Sequence, residues 1–228
     1  MSSPPPIAVF DLDGTLADTA PDLIWTLNAI MAQEGLPAVP LEDARELIGS
    51  GARAMISKGY ERAGLELVPA RLDTLFKEFL VIYGEHLCDG SRLFPGVVEA
   101  LDGLEDRGYR LAVCTNKVEA HSLRLLEALG VARRFAAICG RDSFPYFKPD
   151  PRHLTLTIEQ AGGDAARAVM VGDSRTDIAT AKAAGIPVVG VTFGYTDTPV
   201  EELEPDVVID HYDRLADAVA GLEAGWQP

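Results

Sequence analysis

Short apolar runs rich in β-branched residues, set off by polar residues or glycine, constrain this chain more than any other feature. Ile7-Ala8-Val9-Phe10 runs into Asp11, Leu111-Ala112-Val113-Cys114 into Thr115-Asn116, and Ala168-Val169-Met170-Val171 into Gly172-Asp173. Ala136 to Cys139, Pro187 to Val191 and Val207 to Ile209 are further runs of the same kind. Their length and bounding turn residues read as strands. Between most of them lie helical patterns. Residues 96–107 carry Val97, Val98, Leu101 and Leu104 on one face and stop at Gly108. Residues 119–129 carry Leu123, Leu126 and Leu129 and stop at Gly130, and the Ala-rich residues 176–184 stop at Gly185. A glycine just past the last turn supplies the left-handed residue that ends a helix. The alternation predicts an α/β fold, a doubly wound, Rossmann-like parallel sheet covered by helices on both faces.

One stretch interrupts the alternation. From about residue 16 to residue 91 no strand pattern is evident, and amphipathic helical patterns cover roughly 21–34, 41–48, 52–63 and 69–87. A structureless loop of that length is implausible in a compact domain, so an inserted α-helical lobe is expected. The chain then divides into a sheet core, residues 1–15 and 92–228, and a helical module, residues 16–91.

Hydrophobic residues at 47% and charged residues at 24% match an ordinary globular protein. A formal net charge of -15 argues against a nucleic-acid binder, which needs a basic face, and is compatible with a small anion met by a cation and a lysine. No apolar stretch reaches the length of a membrane span, and Met1 to Pro6 lacks the pattern of a secretory signal, reading instead as a short disordered leader. Cys88, Cys114 and Cys139 show no C-x-x-C spacing, so a reduced, cytoplasmic setting is expected.

In a doubly wound sheet the ligand lies beyond the carboxyl ends of the strands. Three of the strands proposed here end in Asp11, Thr115 and Asp173, so a single cleft should gather them. Asp11-Leu12-Asp13-Gly14-Thr15 offers two carboxylates one residue apart before a sharp turn. Such a sequence also forms ordinary turns, but the strand before it and the module after it favour chemistry. Thr115-Asn116 either turns the chain or presents hydroxyl and amide donors to a phosphate oxygen. Lys148 follows the aromatic segment Phe144 to Phe147, which either holds its amine or leaves it in solvent, and Pro151 suits a first helical position. Asp173 ends a strand, and Asp177, one turn later, is either a helix-start acid or a second site carboxylate.

In that order, the DLDGT segment, Thr115-Asn116, Lys148-Pro149-Asp150-Pro151 and Gly172-Asp173-Ser174-Arg175-Thr176-Asp177 resemble the four motifs of the haloacid dehalogenase superfamily. The resemblance covers essentially the whole chain, the helical module corresponding to an inserted cap. It implies that Asp11 attacks phosphorus to give an aspartyl-phosphate, while Asp13 protonates the leaving alkoxide and later takes a proton from water. It also implies a Mg2+ cofactor held by Asp11, the main-chain carbonyl of Asp13 and Asp173, with Asp177 orienting metal waters or Lys148. By the same resemblance Lys148 would neutralise charge on the transferring group and on Asp11, and Thr115 with the Asn116 backbone would hold the phosphoryl oxygens. Relatives that break carbon–halogen or carbon–phosphorus bonds lack an aspartate at the position of Asp13, so ester or anhydride chemistry is expected.

In the cap, Gly49-Ser50-Gly51 leads into a helix carrying Arg53. Ser50 and Gly51 either expose backbone donors to an anion such as a carboxylate, with Arg53 adding a bidentate contact, or form a plain turn. The segments Asp18 to Asp22, Ile48 to Ala52 and Phe193 to Tyr195 draw the resemblance toward bacterial phosphatases of short phospho-acids, with 2-phosphoglycolate as the expected substrate. Another small phosphate ester, pyrophosphate, a phosphosugar mutase or a non-catalytic module on the same fold are the alternatives. A monomer or homodimer acting on a small phosphate ester, without nucleic-acid or membrane partners, is expected.

Overall fold

The computed structural model describes residues 4–41, 47–49, 51–196, 198–223 and 225–226. Strand β1 (Ile7–Phe10) and a short β2 (Ala17–Asp18) precede helices α1 (Ala20–Gln33), α2 (Ala52–Arg62) and α3 (Pro69–Glu85) and a short β3 (Arg92–Leu93). Then come α4 (Val97–Asp106), β4 (Arg110–Cys114), α5 (Glu119–Ala128), β5 (Phe135–Cys139) and α6 (Pro151–Gln160). The chain closes with β6 (Ala168–Gly172), α7 (Arg175–Ala184), β7 (Val188–Val191), β8 (Val207–Ile209) and α8 (Leu215–Glu223). The helix expected over 41–48 falls largely outside the described residues.

Six strands form one sheet in the order β5-β4-β1-β6-β7-β8, and every pairing in it is parallel. Strand periodicity sends alternate residues to opposite layers. Ala8 and Phe10 pack with Leu101, Leu125 and Val219, whereas Ile7 and Val9 pack with Leu154, Ile158 and Ile178. Helices therefore cover both faces, as the sequence pattern predicted. Asp150 starts α6 by accepting the Arg152 N–H at 3.0 Å, with Pro151 in the first helical position. No helix among the described residues is long and apolar enough to cross a membrane. The cysteines are free, Cys114 and Cys139 being buried.

The helical module has its own cluster, in which Leu27, Ile30 and Met31 of α1 meet Ile56 of α2 and Leu75 and Phe79 of α3. Each large apolar side chain so buried contributes about 1.5–3 kcal/mol, enough to give the module a core rather than a draped layer. The structure departs from the sequence reading in the helix faces, where Val98 and Leu123 are exposed, and in the strands of the inserted stretch. Ala17–Asp18, inside the span expected to lack strands, pairs antiparallel with Arg92–Leu93. Two-residue strands carry no periodicity, so tertiary contacts alone specify them. Asp22 reinforces this junction, its buried carboxylate accepting from Gly90 N at 2.7 Å, Ser91 N at 2.8 Å and Ser91 Oγ at 2.5 Å.

Candidate active site

The chain leaves β1 to build β4 on one side and later returns to build β6 on the other. That reversal opens a crevice at the carboxyl end of β1, the usual ligand position in such sheets. Asp11 stands there because its N–H donates to Val171 O at 2.9 Å, carrying strand pairing one residue past β1. Asp173 follows β6 directly. Ligand atoms of Asp11, Asp173 and Asp177 all lie within 4.8 Å of one another.

Lys148 reaches this group with a side chain only 1% exposed. Its Nζ lies 2.9 Å from Asp11 Oδ1 and donates to Asp177 Oδ1 at 2.5 Å. Asp177 fills both roles that the sequence left open. Its Oδ2 starts α7 by accepting Ser174 N at 2.9 Å and Ser174 Oγ at 2.6 Å, while its Oδ1 grips the lysine. Asp173 is held by Thr15 Oγ1 at 2.7 Å and by the Tyr195 N–H at 2.6 Å. Gly14, at φ +85°, lets the turn pass Asp173, since a Cβ there would lie 2.5 Å from Asp173 Oδ2.

The electrostatics follow from this crowding. Burial pushes the Asp11 carboxyl up to about 6, an effect that Lys148 partly offsets. Burial, then the charges of Asp177 and Asp11, raise Asp173 well above the usual carboxylate range. For Lys148 burial opposes the charge, but Asp11 and Asp177 outweigh it and hold the amine above the usual lysine range. Three acids around one ammonium leave an excess of negative charge at low dielectric. Buried Asp11 Oδ1 faces the Lys148 ammonium at 2.9 Å but has no aligned hydrogen bond among the described residues. Hard oxygens with surplus charge fit a divalent cation such as magnesium.

Asp13 stands outside that acid cluster. Its carboxylate accepts from Thr19 Oγ1 at 2.8 Å and from Lys117 Nζ at 2.8 and 3.1 Å. Thr115 borders the same cleft, its Oγ1 accepting the Lys117 N–H at 3.3 Å. The Asn116 side-chain amide, expected to serve phosphate, donates instead to Lys148 O at 2.9 Å and so fixes the lysine loop. Gly51 and Arg53 border the cleft from the cap, although Arg53 is paired with Asp73 at 2.7 Å and lies over the Phe76 ring. Ser50 lies outside the described residues.

Several residues here had no prior assignment. Lys117 Nζ also donates to the Tyr83 hydroxyl of α3 at 2.7 Å. Burial opposes its charge, but Asp13 and Tyr83 outweigh this and raise its amine above the usual range. His153 accepts the Lys148 N–H at 3.2 Å through Nδ1 and faces Gly140 O at 3.1 Å through Nε2. Tyr195 joins the two lobes. Its hydroxyl accepts the Ala20 N–H at 2.9 Å and donates to Asp18, and Gly49 packs so closely on its carbonyl that a Cβ would lie 2.4 Å away. The Phe193-Gly194-Tyr195 stretch was a signal for it. Lys117 had the weaker signal of following Thr115-Asn116, and Tyr83 and His153 had none.

Comparison with known proteins agrees with this arrangement. Residues 8–191 match the family model of haloacid dehalogenase-like hydrolases. The chain is 57% identical over 210 residues to phosphoglycolate phosphatase of Mesorhizobium japonicum, covering 92% of each. It is 50% identical over 214 residues to that of Agrobacterium fabrum, covering 94% of this chain and 92% of the relative. A crystal structure of a predicted phosphoglycolate phosphatase from Haemophilus somnus matches with a TM-score of 0.85 at 34% identity, over 93% of this chain and 96% of that one. The chain belongs to the haloacid dehalogenase-like hydrolases.

Proposed function

We propose that this protein hydrolyses a small phosphate ester, 2-phosphoglycolate, to glycolate and inorganic phosphate through an aspartyl-phosphate on Asp11. The observation that carries the reading is the buried Asp11, bracketed by Lys148 and Asp173 at the switch point of the sheet. The relatives named phosphoglycolate phosphatase supply the substrate.

In the first step a carboxylate oxygen of Asp11 forms a bond to phosphorus as the phosphorus–ester oxygen bond breaks. The departing oxygen takes a proton from Asp13 and leaves as an alcohol. In the second, water attacks phosphorus, gives a proton back to Asp13 and releases phosphate, restoring Asp11. Lys148 balances charge on the phosphoryl group, and Thr115 and the Asn116 backbone hold its oxygens. Asp11, Asp173 and the Asp13 carbonyl, with Asp177 beside them, would hold magnesium, which would supply the positive charge that lets a phosphate dianion approach these acids. Residues 16–91 act as a cap that bounds the space for the alcohol portion, with Gly51 and Arg53 at its rim. A cytoplasmic setting suits a soluble metabolite and free cysteines.

The test is phosphate release from a panel of phosphorylated metabolites, with magnesium and after dialysis against excess chelator. Turnover of 2-phosphoglycolate that disappears on chelation and returns with magnesium is expected. No turnover of any ester, or full activity without divalent cation, overturns the reading.

A further inference from the structure

Lys117 is a buried cation that the two chemical steps above do not use. Its side chain is 5% exposed, and its ammonium is shared between a residue of the core and one of the cap. It donates to both Asp13 oxygens and to Tyr83, and it also lies 4.3 Å over the Tyr83 ring. Among the described residues, the directed contacts of its ammonium are thus with the proposed acid and with the cap.

This arrangement has a consequence once Asp13 serves a substrate. Asp13 Oδ1 already accepts from Thr19 and Lys117, so Oδ2, at the longer 3.1 Å contact, is the oxygen that turns to the ester, and an ammonium proton then loses that acceptor. A buried ammonium short of an acceptor is costly, so the vacated position favours an anionic oxygen. In a 2-phosphoglycolate-like ester, the carboxylate is bonded directly to the carbon that bears the ester oxygen. It therefore arrives beside Asp13, where Lys117 waits. Of the other cations bordering the cleft, Lys148 is engaged by Asp11 and Asp177 and Arg53 by Asp73, while Arg141 lies over the Phe147 ring, 4.1 Å from its centroid.

We propose that Lys117, braced by Tyr83 of the cap, is the specificity-determining residue that selects leaving groups carrying a carboxylate next to the ester carbon. The proposal rests on Asp13 acting at the ester oxygen, and it names the group that reads the substrate in the same site. Recognition of the leaving group and positioning of the acid then share one side chain. Because Tyr83 belongs to α3, the selection is assembled only when cap and core are together.

The test compares 2-phosphoglycolate with ethyl phosphate, which replaces the carboxylate by a methyl group. The wild-type protein should prefer phosphoglycolate in kcat/KM. Lys117→Met should slow both substrates through Asp13, yet reduce that preference by a further factor of about 10 to 100, the range for a charge-assisted hydrogen bond. Lys117→Arg should recover part of the preference, and Tyr83→Phe should reduce it less than Lys117→Met does. On the wild-type protein, glycolate should inhibit more strongly than glycolamide, a comparison that stands even if a variant does not fold. Equal losses on both esters, or equal inhibition by acid and amide, overturn the proposal while leaving the phosphatase reading intact. If the wild-type protein hydrolyses neither ester, the phosphatase reading falls and this proposal with it.

Discussion

On the sheet side of the cleft, charge is buried: Asp11, Lys148, Asp173 and Asp177 are all at 8% exposure or less. At the cap's rim of the cleft, charge is kept at the surface, the module's buried Asp22 lying instead at the junction with the core. The Arg53–Asp73 pair has side chains 43% and 57% exposed, and the module's core holds apolar residues such as Ile56 and Phe79. Buried like charges cost stability and persist because they are held in place by backbone pairing and by one another. Exposed pairs on a helical module cost little and can change freely. The difference separates a region built for a reaction from one built to fill space around a substrate.

Removing the nucleophile should break the comparison most sharply. Asp11→Ala should lower phosphate release by more than about 10³-fold, on the order of 4 kcal/mol of barrier. The melting temperature should not fall, because a repulsive buried charge near Asp173 and Asp177 is lost as well. Activity above a few per cent of wild type, or a clear fall in thermal stability, would place the cost of this site elsewhere.

A second effect, of intermediate size, lies in the support beneath the lysine. His153 is fully buried, and burial followed by the Lys148 charge pushes its imidazole down from 6.5 to about 4. The unfolded chain therefore takes up this proton first as the pH falls. The stability that neutral His153 contributes is complete above about pH 6.5 and is lost as the pH falls through about 4. At most about 3 kcal/mol is involved. Melting curves of wild type and His153→Gln across this window should show a shallower acid dependence in the variant, and parallel curves would remove His153 from the account.

The smallest effect belongs to the cap surface. Since Asp73 and Phe76 already occupy the Arg53 guanidinium, Arg53→Ala should lower kcat/KM for 2-phosphoglycolate by about 1 kcal/mol or less. A larger loss would show that the rim of the cap reads charge, and would blur the contrast between the two sides.

Residues on the sheet side were legible because strand alternation and helix starts are local. Asp11 and Asp173 each end an apolar run, and Asp177 sits where a helix-start acid belongs. Lys117 was not read because a lysine in a turn is ordinarily solvated. Its burial depends on Tyr83, 34 residues earlier in the chain and on the other lobe. His153 reads as one position in an amphipathic helix, and only the folded loop brings Lys148 N onto its ring. Ala17–Asp18 is too short to show a period. For Lys117 and Ala17–Asp18 the missing information was a contact between distant segments, and for His153 the conformation of a loop five residues long, neither of which a periodic pattern encodes.

The short β2–β3 ladder sets Ala17 opposite Leu93 and Asp18 opposite Arg92, so the chain departs from the core and rejoins it at neighbouring points. To the sheet, everything between behaves as a single long hairpin loop, whose closure entropy rises only slowly with length. A lineage can therefore lengthen, trim or exchange that segment without re-threading any strand of the sheet. Selection on which ester is accepted is in this way separated from selection on how phosphorus is transferred. The residues exempt from that freedom are those that cross the boundary: Asp22, which ties both crossings together, and Tyr83 and Tyr195, which span the lobes in opposite directions.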